Sequence, residues 1–155
     1  MNTLTARGLS LGLVVAVWSL ISDYGKVPLS LWAVVVALAC FLASGGGIPG
    51  LQRTVAGTVS GVVWALLVYT VAASLGRQPI VYALILGAAV FLMVFQQRLP
   101  LLSYTAGAVA GAGVSLGLRV TTLQGGIRVA VALAVGAGLG FAGEWVTGRL
   151  KTRGA

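Results

Sequence analysis

"GTVSGVVW", residues 57–64, and "GAVAG", residues 107–111, carry the same four-residue glycine spacing fifty residues apart. "RGLSLG", residues 7–12, has this spacing too. Small residues four apart lie on one face of a helix and let two membrane helices approach closely. The pattern predicts helix packing at Gly8, Gly12, Gly57, Gly61, Gly107 and Gly111, and "VGAGLGFAG" (135–143) adds Gly136 and Gly140.

The composition indicates an integral membrane protein. Of the 155 residues, 59% are hydrophobic and only 8% are charged, and the mean hydropathy is +1.05. A soluble chain of this size needs a charged exterior, which so few ionisable side chains cannot supply. The chain is therefore expected to lie within a lipid bilayer.

Stretches without Asp, Glu, Lys or Arg recur at intervals that fit helices crossing a membrane. The hydrocarbon layer is about 30 Å thick and a helix rises about 1.5 Å per residue, so one crossing takes roughly 20 residues. We therefore expect an all-α polytopic protein with a single transmembrane domain and no soluble domain. Its six predicted helices lie at about residues 5–23, 27–45, 51–75, 78–97, 100–118 and 125–148.

A fifty-residue period also appears in the even-numbered helices, as Phe41, Phe91 and Phe141. A fixed period with weak self-similarity is typical of internal duplication, which membrane transport proteins commonly retain. The repeating unit would be a two-helix hairpin, formed by helices 2 and 3, 4 and 5, and 6 and 1. Three such hairpins predict a three-fold axis along the membrane normal, with a narrow pore through each protomer.

The ten basic residues divide unequally between the two predicted sides of the membrane. The side with both termini holds Arg7, Arg53, Arg98, Arg149, Lys151 and Arg153, and the other side holds Lys26, Arg77, Arg119 and Arg128. Because cytoplasmic loops are enriched in Lys and Arg, this bias predicts that both termini are cytoplasmic. The net charge of +8 then reflects orientation and contact with lipid headgroups. Nucleic-acid binding is not expected, because no basic soluble module is present.

The residues that carry enzymatic chemistry are almost absent. The chain has no histidine, Cys40 is its only cysteine, and Asp23 and Glu144 are its only acids. We therefore expect neither an enzyme nor a metal or cofactor site. Glu144 is the one candidate for proton coupling, although a salt contact with Arg149 would also explain it.

A passive path for solutes needs only a narrow lining with neutral hydrogen-bonding groups. The loops at residues 44–50 and 95–100 are predicted to form one polar mouth, or to be ordinary interfacial turns. The candidate pore-lining residues are Phe41, Phe91, Phe141, Trp18, Trp64, Tyr104, Gln96, Gln97, Ser44 and Glu144.

The chain resembles the bacterial inner-membrane proteins of domain-of-unknown-function family 1097. The resemblance rests on "MNTL" (1–4), the glycine-rich turn after helix 2, "SGVVWALL" (60–67) and "FLM" (91–93). It departs from the family at "ASGGG" (43–47), where a Pro-Gln-Gly-Gly turn is expected. The family name implies a bacterial inner-membrane location and no activity.

The predicted plan of three hairpins is also similar to that of the channels for urea and short amides, which assemble as rings. This similarity implies a homo-oligomer that conducts a small, uncharged polar solute. A passive channel or facilitator is thus the leading hypothesis. A proton-coupled transporter using Glu144 and a non-transporting scaffold subunit are the alternatives.

Overall fold

The computed structural model describes residues 3–26, 29–76 and 78–152. Across these residues the chain forms α-helices and short 3-10 turns and no strand, which confirms the all-α prediction. The start of predicted helix 2 at residue 27, Arg77 and the end of the basic tail lie outside them. The six α-helices are α1 (Thr3–Tyr24), α2 (Leu31–Ala43), α3 (Gly47–Ser74), α4 (Pro79–Phe95), α5 (Thr105–Gly117) and α6 (Leu123–Thr152).

Two of the helices, α2 and α5, are shorter than predicted. Helix α2 ends at Ala43 because the glycines at 45, 46 and 47 have φ of +96°, +72° and +66°, a region that favours glycine and ends a helix. Pro49 lies inside the first turn of α3, where its missing N–H removes no hydrogen bond. The non-helical turn predicted at 44–50 is therefore limited to Ser44–Gly46.

The segment before α5 is not a simple loop. Two 3-10 helices, Gln96–Arg98 and Pro100–Leu102, carry the chain from α4 to Thr105. At its other end α5 stops at Gly117, and Arg119 adopts φ +52° two residues later. The short helices α2 and α5 are thus both followed by a residue in the left-handed region.

The glycine pairs fifty residues apart meet in a single crossing of α3 and α5. A Cβ on Gly61 would overlap the carbonyl oxygen of Ala108, and a Cβ on Gly111 would overlap that of Thr58. The two backbones are therefore in direct contact, as small residues allow. Gly57 and Gly107 lie in the same contact, so all four glycines lie where the backbones of α3 and α5 meet.

A second crossing joins α2 to α6. A Cβ on Gly136 would overlap the carbonyl oxygen of Val34, and a Cβ on Gly140 would lie 2.5 Å from the ring of Phe41. The packing predicted for Gly136 and Gly140 is thus present. Helix α1 lies outside this pair, where Leu11 covers Gly143 of α6.

The buried positions show that the chain consists of two equivalent halves, α1–α3 and α4–α6. The six buried positions of α2 recur in α5 74 residues later: Ala33, Val34, Ala37, Leu38, Cys40 and Phe41 correspond to Gly107, Ala108, Gly111, Ala112, Val114 and Ser115. Buried positions of α3 recur in α6 75 residues later: Thr54, Gly57, Thr58, Gly61, Val62, Ala65, Val68 and Ala72 correspond to Val129, Ala132, Leu133, Gly136, Ala137, Gly140, Gly143 and Thr147.

The contacts follow the same relation. Gly61 against Ala108 becomes Gly136 against Val34 under these shifts. Since each half has three helices, the second half passes through the bundle in the opposite direction. The halves therefore form an inverted repeat whose axis lies across the helices.

This symmetry differs from the predicted three-fold arrangement of hairpins, which the structure does not confirm. The glycine pairs of α3 and α5 recur because they are the two sides of one interface, not because they are copies of one unit. Helix α1, the supposed third copy, packs chiefly on α6. A three-fold arrangement would require it to pack equivalently on α3 and α5.

Within the residues that the structure describes, three helices have both the length and the apolar character to cross a membrane: Gly47–Ser74, Pro79–Arg98 and Leu123–Arg149. The apolar helices α2 and α5 have 13 residues each, which corresponds to about 20 Å. They are too short to cross the hydrocarbon layer as helices alone. Six complete spans thus remain a prediction.

Candidate functional site

The two ends of the bundle are named here by the residues that distinguish them. The glycine-turn end contains Gly45–Gly47 together with the start of α5 and the last turns of α6. The Arg119 end contains the end of α5, the end of α3 and the start of α4. Helices α3 and α5 run from the first end towards the second, and α2, α4 and α6 run in the opposite direction.

Glu144 closes the glycine-turn end. Its carboxylate accepts a hydrogen bond of 2.7 Å from the backbone N–H of Gly47, the first residue of α3. A carboxylate at a helix N-terminus satisfies a free N–H and interacts favourably with the helix dipole. A Cβ on Gly46 would lie 2.6 Å from the same carboxylate, so the turn and the acid fit closely. The structure thus gives Glu144 a capping role that sequence reasoning missed.

A row of hydroxyl groups continues from the turn into the bundle. Ser44 donates to the carbonyl of Phe41 (2.8 Å), and Thr54 donates to Ser44 Oγ (3.1 Å). Thr58, one turn deeper, donates to the carbonyl of Thr54. In the other half Val129 and Leu133 occupy the positions equivalent to Thr54 and Thr58. At these equivalent positions, therefore, only the glycine-turn end has hydroxyl groups.

Tyr104 and Gln96 link the 3-10 segment to neighbouring helices. The Tyr104 hydroxyl donates to the carbonyl of Cys40 (3.0 Å). Gln96 accepts from Trp64 Nε1 (3.0 Å) and donates to Ser60 Oγ (3.1 Å). Gln97 points elsewhere and bonds Thr105. These contacts fix the entry to α5 at the glycine-turn end.

The aromatic candidates do not form one ring. Phe41 is fully buried, and its ring meets that of Phe141 edge to face, with centroids 6.4 Å apart. Phe91 is 61% exposed on α4 and pairs with Phe95. The structure thus brings together two of the three phenylalanines predicted to line a pore. Trp18 packs against the core, and its buried Nε1 has no hydrogen-bond partner among the described residues.

A cavity of about 370 Å³ opens at the Arg119 end. It lies between α3, α4 and α5 and is lined by Tyr69, Ala72, Tyr82, Leu116, Arg119 and Thr121. The Tyr69 hydroxyl donates to the carbonyl of Leu116 (3.1 Å) at the end of α5. Sequence analysis did not select these residues, because neither tyrosine belongs to a motif and Arg119 resembled an ordinary interfacial charge.

The inverted repeat allows the two ends to be compared position by position. Tyr69 and Ala72 correspond to Glu144 and Thr147, and Arg119 corresponds to Gly45. At the glycine-turn end Glu144 bonds Gly47, and Thr147 is hydrogen-bonded to Ser10 of α1. The equivalent positions at the Arg119 end line the cavity instead. The halves are therefore equivalent in fold, but these equivalent residues border a cavity at the Arg119 end and join α6 to α3 and α1 at the glycine-turn end.

Gly8 and Gly12 differ from the other predicted packing glycines. In the described part of the chain nothing lies within 4 Å of a Cβ built on either residue. The packing predicted for them is therefore not formed with any of the described residues. The predicted homo-oligomer stays a prediction.

No group of three His, Cys, Asp or Glu side chains able to hold a metal ion occurs among the residues described. The only thiol, that of Cys40, is buried in α2. Arg149 stacks on Trp145, with its guanidinium carbon 4.3 Å from the ring centroid, whereas the Glu144 carboxylate bonds Gly47. Among the described residues, Glu144 and the cavity lined by Tyr69 and Arg119 are thus the features able to bind a solute or a proton.

An apolar helical bundle with three helices of membrane-spanning length defines the class: a helical membrane protein. Residues 8–148 match the family described as "Protein of unknown function (DUF1097)", and the chain belongs to this family. The predicted resemblance is confirmed.

Two of the curated relatives that the chain matches are named as inner-membrane proteins. The "Inner membrane protein YcdZ" of Salmonella typhimurium is 29% identical over all of this chain and 96% of its own length. The "Inner membrane protein YcdZ" of Escherichia coli is 30% identical over 72% of this chain and 68% of its own length. The "Uncharacterized protein YahC" of Escherichia coli is 34% identical over 72% of this chain and 73% of its own length. No solved structure matches the chain.

Proposed function

We propose that this protein is an inner-membrane facilitator that carries a small polar solute by alternating between states open to opposite ends. One observation carries the proposal: the inverted halves place equivalent residues in an open cavity at one end and in a bonded, closed contact at the other. Inverted repeats are common in secondary transporters, where exchanging the states of the two halves exchanges the open side.

The closed end is held by few polar contacts. The carboxylate bond of Glu144 to Gly47 and the hydroxyl pair of Ser10 and Thr147 join α6 to α3 and to α1. A movement of α1 and of the glycine turn away from α6 breaks these polar bonds together with the apolar packing of α1 on α6. Such bonds contribute about 0.5–3 kcal/mol each, so a second state is energetically within reach.

The charge bias supports an orientation for this mechanism. Among the described residues, Arg7, Arg53, Arg98 and Arg149 lie towards the glycine-turn end, against Lys26, Arg119 and Arg128 at the Arg119 end. The positive-inside rule then favours a multi-pass topology with the glycine-turn end and both termini in the cytoplasm. In that orientation the cavity opens to the outside of the inner membrane, ready to receive solute.

A disulfide across the closed end is expected to stop transport. In a Cys40→Ala background, Ser10→Cys and Thr147→Cys replace two hydroxyls that are hydrogen-bonded to each other. Hydroxyls this close bring their Cβ atoms near the roughly 3.5–4.5 Å separation of a disulfide. Oxidised protein in liposomes should show solute flux reduced about tenfold or more, and dithiothreitol should restore it. The measurement is stopped-flow light scattering with urea, formamide, glycerol and sucrose gradients.

The two single-cysteine variants are the matched controls, since they undergo the same oxidation but cannot form the cross-link. Unchanged flux through fully cross-linked protein would exclude opening at Ser10 and Thr147. No flux above empty liposomes for any solute, with reduced wild-type protein, would instead favour the scaffold function.

Proton coupling is the second candidate function, favoured by the position of Glu144 on the closed end. Protonation would remove the charge that holds the Gly47 N–H and would ease opening of the turn. We expect Glu144→Gln, which keeps an acceptor oxygen but cannot lose a proton, to abolish uptake driven by a proton gradient while leaving exchange without a gradient. Retained gradient-driven uptake by the Gln variant would exclude this coupling.

A further inference from the structure

We propose that the cavity at the Arg119 end binds the carboxylate of a small organic anion, with Arg119 as its charge partner and Tyr82 as a hydrogen-bond donor. This inference rests on the proposed function for its role in transport, since it names the class of solute received. The binding itself can be tested without any transport.

The backbone of Arg119 provides the first argument. Its φ of +52° places a long side chain in the left-handed region, where L-residues are disfavoured. The equivalent turn in the other half uses glycine, since Gly45 occupies the corresponding position with φ +96°. A non-glycine residue retained in a strained conformation beside a cavity is a reason to suspect function there.

The hydrogen-bonding state of the cavity provides the second argument. Tyr69 already donates its hydroxyl proton to the Leu116 carbonyl, so that proton is committed. Within the described ranges no hydrogen bond is formed by the Tyr82 hydroxyl, and no ion pair by the guanidinium of Arg119. One cation and two O–H donors, those of Tyr82 and Thr121, thus border the same space, and a carboxylate accepts from such groups.

The surrounding charge favours an anion over a cation. No acid lines the cavity, and Glu144 is bound at the opposite end of the bundle. Asp23 lies at the same end of the bundle, but it belongs to α1, which packs chiefly on α6, and it does not line the cavity. A carboxylate entering the cavity therefore meets one guanidinium and no opposing carboxylate.

The remaining lining selects a solute with a short apolar part. Ala72, Leu116 and the two tyrosine rings form most of the wall, and the space of about 370 Å³ exceeds the need of an inorganic ion. Ligand sites commonly combine such an apolar lining with a few convergent polar groups. Small monocarboxylates fit both requirements.

The test compares propionate with propionamide, which has the same shape without the charge. Binding to purified protein in neutral detergent is measured by saturation-transfer NMR titration. We expect propionate to bind at least about tenfold more tightly than propionamide, and Arg119→Gln to remove this preference. Gln keeps the same backbone strain, so the variant isolates the charge. Arg119→Lys should retain part of the preference.

Arg128→Gln is the matched control, because Arg128 is an exposed arginine at the same end that does not line the cavity. Its propionate affinity should equal that of the unaltered protein. Tyr82→Phe should weaken propionate binding and leave thermal stability unchanged.

Three results would overturn the proposal. Equal binding of propionate and propionamide would exclude an anion site. Lower thermal stability of Arg119→Gln with unchanged propionate preference would limit Arg119 to stabilising the end of α5. Loss of propionate binding on addition of phosphatidylglycerol would assign the arginine to lipid headgroups. Transport of propionamide without propionate binding would contradict the anion site and leave the proposed facilitator function standing. Propionate binding without any flux would support the anion site and contradict the facilitator function.

Discussion

Gly111→Ala and Gly136→Ala are each expected to lower the free energy of unfolding by about 3 kcal/mol, the upper end of usual overpacking costs. In both cases the added methyl group overlaps a backbone carbonyl, of Thr58 and of Val34 respectively. A side chain can rotate away from such a clash, whereas a carbonyl held in a helix cannot. The measurement is thermal unfolding in mild detergent, followed by size-exclusion chromatography of the remaining folded protein.

Gly113→Ala and Gly138→Ala are the matched controls, each two residues further along the same helix. Nothing lies within 4 Å of a Cβ built on either, so these changes should be neutral or slightly stabilising. If Gly138→Ala destabilised the protein as much as Gly136→Ala, the close crossing of α2 and α6 could not be the cause of the loss of stability. That result would also indicate that the Gly138 face is covered by another chain.

Gly46→Ala is the second substitution with a large expected effect, again about 3 kcal/mol. A methyl group there meets both the strain of φ +72° and the Glu144 carboxylate, which lies 2.6 Å from the position of the new atom. The backbone of Gly46, with φ +72° and ψ −171°, lies in a region found essentially only in glycine and costs an L-residue about 1–3 kcal/mol, and the remainder comes from displacing the carboxylate and its bond to Gly47. Chemical or thermal unfolding gives the value.

A double-mutant cycle separates the two contributions. In a Glu144→Ala background Gly46→Ala should cost only the backbone strain, and Gly45→Ala, with φ +96° and no neighbour within 4 Å, should cost the same in both backgrounds. If the changes in the free energy of unfolding caused by Gly46→Ala and Glu144→Ala were additive, the Glu144 carboxylate would not be what holds the turn.

The helical content and the packing role of several glycines could be read from the sequence, because hydrophobic runs and small-residue spacing act locally. The pairs at Gly57 and Gly107 indicated close packing correctly. Their spacing was interpreted as duplication because an interface between two helices leaves the same pattern as a repeat. Only contacts such as Gly61 with Ala108 distinguish these explanations.

The inverted repeat itself was not predictable from residue identity. Equivalent positions hold Thr58 and Leu133, or Tyr69 and Glu144, so burial is shared while chemistry is not. The cavity likewise depends on where α4 packs, since its polar residues Tyr69, Tyr82, Arg119 and Thr121 come from α3, α4 and the segment after α5. The end of α2 could not be read from the hydrophobic pattern either, because it depends on three consecutive glycines with positive φ.

The pairing of α2 with α6, and of α3 with α5, has a consequence for how the chain assembles during synthesis. Each half directs its inner helices mainly to the other half, so the first three helices leave the ribosome before their partners exist. Neither tight crossing forms until residues of the second half are inserted. We therefore expect the two halves, produced as separate polypeptides inserted in opposite orientations, to depend on each other for survival against membrane proteases and to recover their association when co-expressed.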